Sequence, residues 1–161
     1  MGARIFTTFV APFFLLLCCS IAQRVEGTTV SVETAVPDFV FTVADACAKA
    51  DFDPASVRQI LLEKGFIEEH RPLQHQLEKY PEGGNAFAQG VQVPWKRPCK
   101  PSVDSRHARP SLVAAAQALI SNGFTTADGL FFEKGSKKIR LQSRGLSMGG
   151  PAEINISPFK P

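Results

Sequence analysis

The chain has 161 residues and carries 18 Lys and Arg against 15 Asp and Glu, a formal net charge of +3. So close a balance excludes an overall polycation made for nucleic acid, while leaving room for a local basic patch. The length supports one domain with a modest core.

Residues 1–22, MGARIFTTFVAPFFLLLCCSIA, read as a secretory signal. Arg4 supplies a positive start, Phe9 to Cys19 is nearly all apolar, and Ser20 and Ala22 put small residues where a signal peptidase needs them. Cleavage is expected after Ala22, with a second candidate cut after Gly27. The apolar run falls short of the roughly 20 residues that span a bilayer. Loss of Arg4 with the leader lowers the formal charge from +3 to +2. Cys18 and Cys19 would leave too, so Cys47 and Cys99 remain as an isolated pair. In an oxidising compartment such a pair is expected to form a disulfide.

Residues 23–37 are rich in Thr and Val and alternate in TTVSVETAV, which suits a short edge strand or loose chain. Pro37 marks the expected start of the helical region. A first helix is predicted over 42–50, opened by Thr42 or Asp38. The second has a stronger signature: Asp53 as N-cap, Pro54 at the first helical position, and Val57, Ile60 and Leu61 on one face. Gly65 can close it in a left-handed conformation, with Phe66 folding back on the last turn. The Pro and Gly content of 80–109 predicts an extended irregular insertion carrying Cys99. A third helix over 110–122 opens at Pro110, shows Leu112, Val113, Ala116, Leu119 and Ile120 as its apolar stripe, and repeats the Gly-Phe stop at Gly123-Phe124. Two β-prone runs near 130–142 flank Lys134-Gly135-Ser136-Lys137 and predict a β-hairpin, with Ile139 and Leu141 inward. Residues 143–161 read as a flexible tail. The fold class expected is α+β: a small single domain over 38–142 with a helix hairpin near 42–65, a third helix, and a C-terminal hairpin.

The segment FTVADACAKADFDPASVRQILLEKGF, 41–66, resembles the helix-turn-helix class in pattern. Cys47 stands at the small packing position, Phe52 after the turn, and Val57 and Ile60 as anchors, while Asp51 replaces the usual turn glycine. The resemblance implies that Ser56, Arg58 and Gln59 would face DNA. Glu63, Glu68 and Glu69 at the far end of that helix would repel the phosphates, and the capping signals alone explain a helix hairpin.

The chain contains no G-x-S-x-G, P-loop or dinucleotide fingerprint, so no enzyme activity and no cofactor is expected. His70 and His75 are five apart, a poor fit to helical zinc spacing, and no Cys pair stands at zinc-ligand spacing, so no metal site is expected. Asn155-Ile156-Ser157 matches a glycosylation acceptor, disfavoured by Pro158 directly after it. The stretch PWKRPCKPSVDSRHARP sets Lys96, Arg97, Lys100, Arg106 and Arg109 against Asp104, with Trp95 beside two of the cations. Trp95, Lys96, Arg97 and Lys100, with Lys134, Lys137 and Lys138 at the hairpin tip, form the expected contact surface for a protein with an acidic surface. The function expected is that of a small secreted interaction protein of ligand, inhibitor or effector type. Two alternatives are a membrane-anchored accessory subunit that retains residues 6–22 and a winged-helix-like nucleic-acid binder.

Overall fold

In the computed structural model of this chain, which describes residues 32–72, 74–81, 90–145 and 150–159, the first helix starts before the proline expected to precede it. Helix α1 spans Val32–Lys49 and runs through Pro37. Val36, Val40, Val43 and Cys47 lie fully buried at helical spacing, with Ala35 beside them. The apolar stripe thus begins upstream of Pro37, and its burial offsets the single backbone hydrogen bond that the proline removes. The edge strand or loose chain expected for residues 23–37 is therefore helix from Val32 onward, and Thr42 is no cap: its hydroxyl donates back to the Asp38 carbonyl inside the helix. The segment 1–22, expected to be a leader, and both candidate cleavage points lie outside the described residues.

Helix α2, Pro54–Glu63, follows its predicted signature, with the Asp53 carboxylate accepting from the Ser56 N–H at 2.8 Å. The third helix, α3, spans Ala108–Ser121. Pro110 is its third residue rather than its first, a position where no intrahelical N–H bond is lost. Its buried face is Ser111, Ala114, Ala115, Ala118 and Leu119, while Val113 and Ile120 are each 53% exposed. The predicted stripe is turned by about one position because α3 packs on α1 through small residues, which let the two helices approach closely.

The three α-helices among the described residues stop in the same way. Each ends in a left-handed residue followed by phenylalanine: Asp51-Phe52, Gly65-Phe66 and Gly123-Phe124, with φ of 53°, 79° and 83° at the first residue. The phenylalanine N–H reaches back to the carbonyl of Cys47, Leu61 and Leu119 respectively, at 2.8, 3.0 and 3.1 Å. Only the first of these turns uses a residue with a side chain at the left-handed position, and Phe52 also has a positive φ of 63°.

The helices cover one face of a seven-stranded antiparallel sheet: β1 Ile67–Arg71, β2 Gln74–Lys79, β3 Val91–Pro94, β4 Ser102–Asp104, β5 Phe131–Lys134, β6 Lys137–Gly145 and β7 Pro151–Pro158, in the spatial order β1-β2-β3-β4-β7-β6-β5. Leu77, Val91, Val93, Val103, Phe132, Ile139, Leu141, Ala152, Ile154 and Ile156 point from it into the core. The α+β class and the C-terminal hairpin stand, with the turn tightened to Gly135-Ser136 because Lys134 and Lys137 pair. Two expectations are corrected. Residues 80–109 contain β3, β4, a 3-10 turn at Ser105–His107 and the start of α3, with Pro94 and Pro101 at strand boundaries where a missing N–H is tolerated. Of the expected flexible tail, the described residues 143–145 and 150–159 are ordered into the sheet, since β7 pairs with β6 on one side and β4 on the other and buries Ala152, Ile154 and Ile156. Asn155, the glycosylation candidate, lies within that strand with its side-chain oxygen enclosed.

Candidate functional site

Strand register gathers distant segments at one end of the sheet. Gln76 pairs with Pro94, so the start of β2 and the end of β3 coincide. The Ile156 N–H donates to the Cys99 carbonyl at 3.0 Å, and Ile139 pairs with Pro158, so the β3–β4 connection and the β5–β6 hairpin tip flank the same end of β7. The nearer strands of the two, β4 and β6, lie two strand spacings, roughly 10 Å, apart on either side of β7. Cys47 bonds Cys99, a pairing 52 residues apart in sequence, and fastens this connection to α1.

The basic stretch is split by β4. Lys96, Arg97 and Lys100 stay at the gathered end, with Lys96 and Arg97 exposed and no ion pair to any of the three among the described residues. Arg106 and Arg109 are carried to the opposite end. There the Arg106 side chain pairs with Asp104 at 2.9 Å, which holds the Asp104 carboxyl below its ordinary range together with the Arg106 N–H.

The hairpin lysines are each engaged. Lys134 donates to the Asn122 carbonyl at 2.8 Å and lies over Phe124, closing the end of α3. Lys137 pairs with Asp51 at the end of α1. Lys138 pairs with Glu133 at 2.7 Å and lies over Phe131. Lys79 treats α2 as Lys134 treats α3: it donates to the Lys64 carbonyl and lies over Phe66. Burial, then the Lys64 charge, push the Lys79 ammonium below its ordinary range. Lys79 and Lys134 thus each serve a helix C-terminus, where the helix dipole favours a cation.

Trp95 is built into the same end. The Trp95 N–H continues the β2–β3 ladder by donating to the His75 carbonyl at 3.0 Å. Its indole stacks on the His75 ring, centroids 4.0 Å apart, and His75 lies 4.0 Å from the ring of His70, its direct partner on β1. From α2, the Arg58 guanidinium sits 4.7 Å from the indole centroid and donates to the Trp95 carbonyl at 3.1 Å. Arg58 and the Gln59–Glu63 side-chain pair thereby occupy two of the residues a DNA-reading helix would present. An open groove of about 780 Å³ runs beside this ladder, with Gln76, Gln92 and Ser102 at its floor and Lys96 and Arg97 at its rim.

The sequence reading missed the group formed by Glu68, His70 and His75. Judged along a helix, a separation of five is unfavourable, but β1 and β2 form a hairpin and set His70 directly opposite His75. Glu68, two residues before His70 on the same face, brings one oxygen to 2.9 Å from His70 Nε2 and 2.5 Å from His75 Nε2. The signal was the alternation of Glu68, His70 and then His75, Leu77 about a Pro72 turn, which a period of two would have exposed.

No protein-family model, curated protein or solved structure matches the chain.

Proposed function

We propose that this protein is a small secreted, non-enzymatic interaction protein of ligand, inhibitor or effector type that captures an acidic protein surface with the cationic end of its sheet. The observation that carries this reading is the convergence of Lys96, Arg97 and Lys100 with Lys137 and Lys138 at one end of the sheet, from segments about 40 residues apart. Lys96 and Arg97 are exposed and uncompensated among the described residues, so a partner's carboxylates would meet charges that are not already neutralised. Trp95 contributes by stiffening the loop that presents them, and Lys134 contributes little because it is committed to a helix end. The Cys47–Cys99 disulfide is compatible with an oxidising compartment, and no helix among the described residues is long and apolar enough to cross a membrane.

The test is retention of the mature chain on immobilised poly-L-glutamate along a salt gradient. Lys96→Glu with Arg97→Glu should elute at clearly lower salt, whereas Lys64→Glu with Arg109→Glu, an equal charge change at the opposite end, should stay near wild type. Equal losses for the two pairs would mean that net charge alone is read, and the assignment to this end would fail.

A further inference from the structure

We propose that Glu68, His70 and His75 form a binding site for one divalent transition-metal ion of the zinc class. The three side chains each offer one ligand atom, and these atoms lie within 4.8 Å of one another. Tetrahedral zinc with bonds near 2.0–2.1 Å needs ligand atoms roughly 3.3 Å apart. The two Glu68–histidine distances, 2.9 and 2.5 Å, are already close to that and need only a small outward turn of an exposed carboxylate. Two imidazoles and a carboxylate are donors that suit Zn²⁺ and, more tightly, Cu²⁺.

The site is preorganised from both directions. His70 and His75 are direct partners on paired antiparallel strands, so the hairpin itself sets their spacing. His75 is further held by the Trp95 indole, stacked at 4.0 Å with planes 11° apart, and Trp95 is held in turn by Arg58. As it stands, both Nε2 atoms converge on one Glu68 oxygen, so the three atoms a metal ion would take are already gathered around one point. Strand β1 is the sheet edge and His70 is exposed, so the ion's fourth position faces water or a partner's side chain.

The chain carries a single tryptophan, which makes the site self-reporting. The untagged mature protein is titrated with Cu²⁺ while Trp95 emission is followed, and with Zn²⁺ by calorimetry. The expected result is saturable quenching by Cu²⁺ that Zn²⁺ reverses by competition, at one Zn²⁺ per chain with a Kd of about 10 µM or tighter. His70→Gln and His75→Gln should each weaken Zn²⁺ binding by about tenfold or more. Glu68→Gln, which alters only a partly exposed surface carboxylate, provides the same comparison should a histidine variant lose its fold. Lys96→Ala, beside the site but outside it, should bind as wild type. Absence of saturable binding at 1:1 stoichiometry would overturn the proposal, as would binding that survives all three ligand substitutions in folded protein.

Discussion

The indole of Trp95 lies face to face with the imidazole of His75, planes 11° apart, while the Trp95 N–H donates to the His75 carbonyl. One residue pair thus carries both a backbone rung and a side-chain stack, and Trp95 belongs to the framework of the sheet end before it belongs to any contact surface. Trp95→Ala should cost about 2 kcal/mol through lost aromatic area and the unseating of Arg58. Lys96→Ala and Arg97→Ala should fall within about 0.5 kcal/mol of wild type. Urea denaturation of the three variants separates them; equal midpoints would contradict the ladder.

Cys47 is fully buried in α1, and its partner Cys99 sits in the connection that presents Lys96, Arg97 and Lys100. On the chain-entropy model, a crosslink across this loop contributes about 4 kcal/mol. The Cys47→Ala/Cys99→Ala double variant should lower the denaturation midpoint and become insensitive to reductant. Wild-type protein whose midpoint does not move on reduction would refute the bond.

Asp51 holds the left-handed position that glycine holds at the ends of α2 and α3. Asp51→Gly removes a backbone cost of about 1 kcal/mol, against the few tenths that an exposed ion pair to Lys137 contributes. The thermal midpoint should therefore rise by a few degrees, about what a gain of 0.5–1 kcal/mol gives in a domain of this size. A fall would show that the Lys137 contact outweighs the conformational strain.

Lys79 and Lys134 close α2 and α3 by donating to their terminal carbonyls. Lys79→Met and Lys134→Met should each destabilise by about 0.5–1 kcal/mol, since the ring contact survives and the cation at the helix end is lost. Chemical denaturation at low and high salt checks this, with the larger loss expected at low salt.

Asp45 ties α1 to α3. Burial opposes its charge, but the hydrogen bonds from Lys49 and Asn122 and the charges of Lys49 and Lys64 outweigh it and hold its carboxyl below the ordinary range. Asp53 is depressed as well, first through the Ser56 N–H that it caps. A carboxylate with a lowered folded-state pKa contributes stability that is present above the unfolded value of about 3.9 and disappears as pH falls through the folded value. Stability should therefore hold down to about pH 4 and decline below it, and the decline should be shallower in Asp45→Asn. An identical acid profile for that variant would remove Asp45 from the account.

The features legible in the sequence were those encoded within a few residues. Asp53-Pro54 announced the start of α2, Gly65-Phe66 and Gly123-Phe124 announced two stops, and the alternation of Ile139 and Leu141 marked β6, because capping, left-handed turns and a period of two are local physics. The disulfide was legible too, once Cys18 and Cys19 are assigned to the expected leader. Tertiary structure decided what depends on distant partners. Pro37 lies inside α1 because Ala35 and Val36 have a core to enter. Val113 faces solvent and Ala115 does not because α1 needs a close neighbour at that face. Residues 151–158 form an interior strand because β4 and β6 offer them two unpaired edges, which no local pattern bounded by Pro151 and Pro158 discloses. For the same reason Glu68, His70, His75 and Trp95 meet only in the folded chain: strand pairing sets His70 opposite His75 and His75 beside Trp95 across rungs about 5 Å apart, with Glu68 two residues along β1 on the same face.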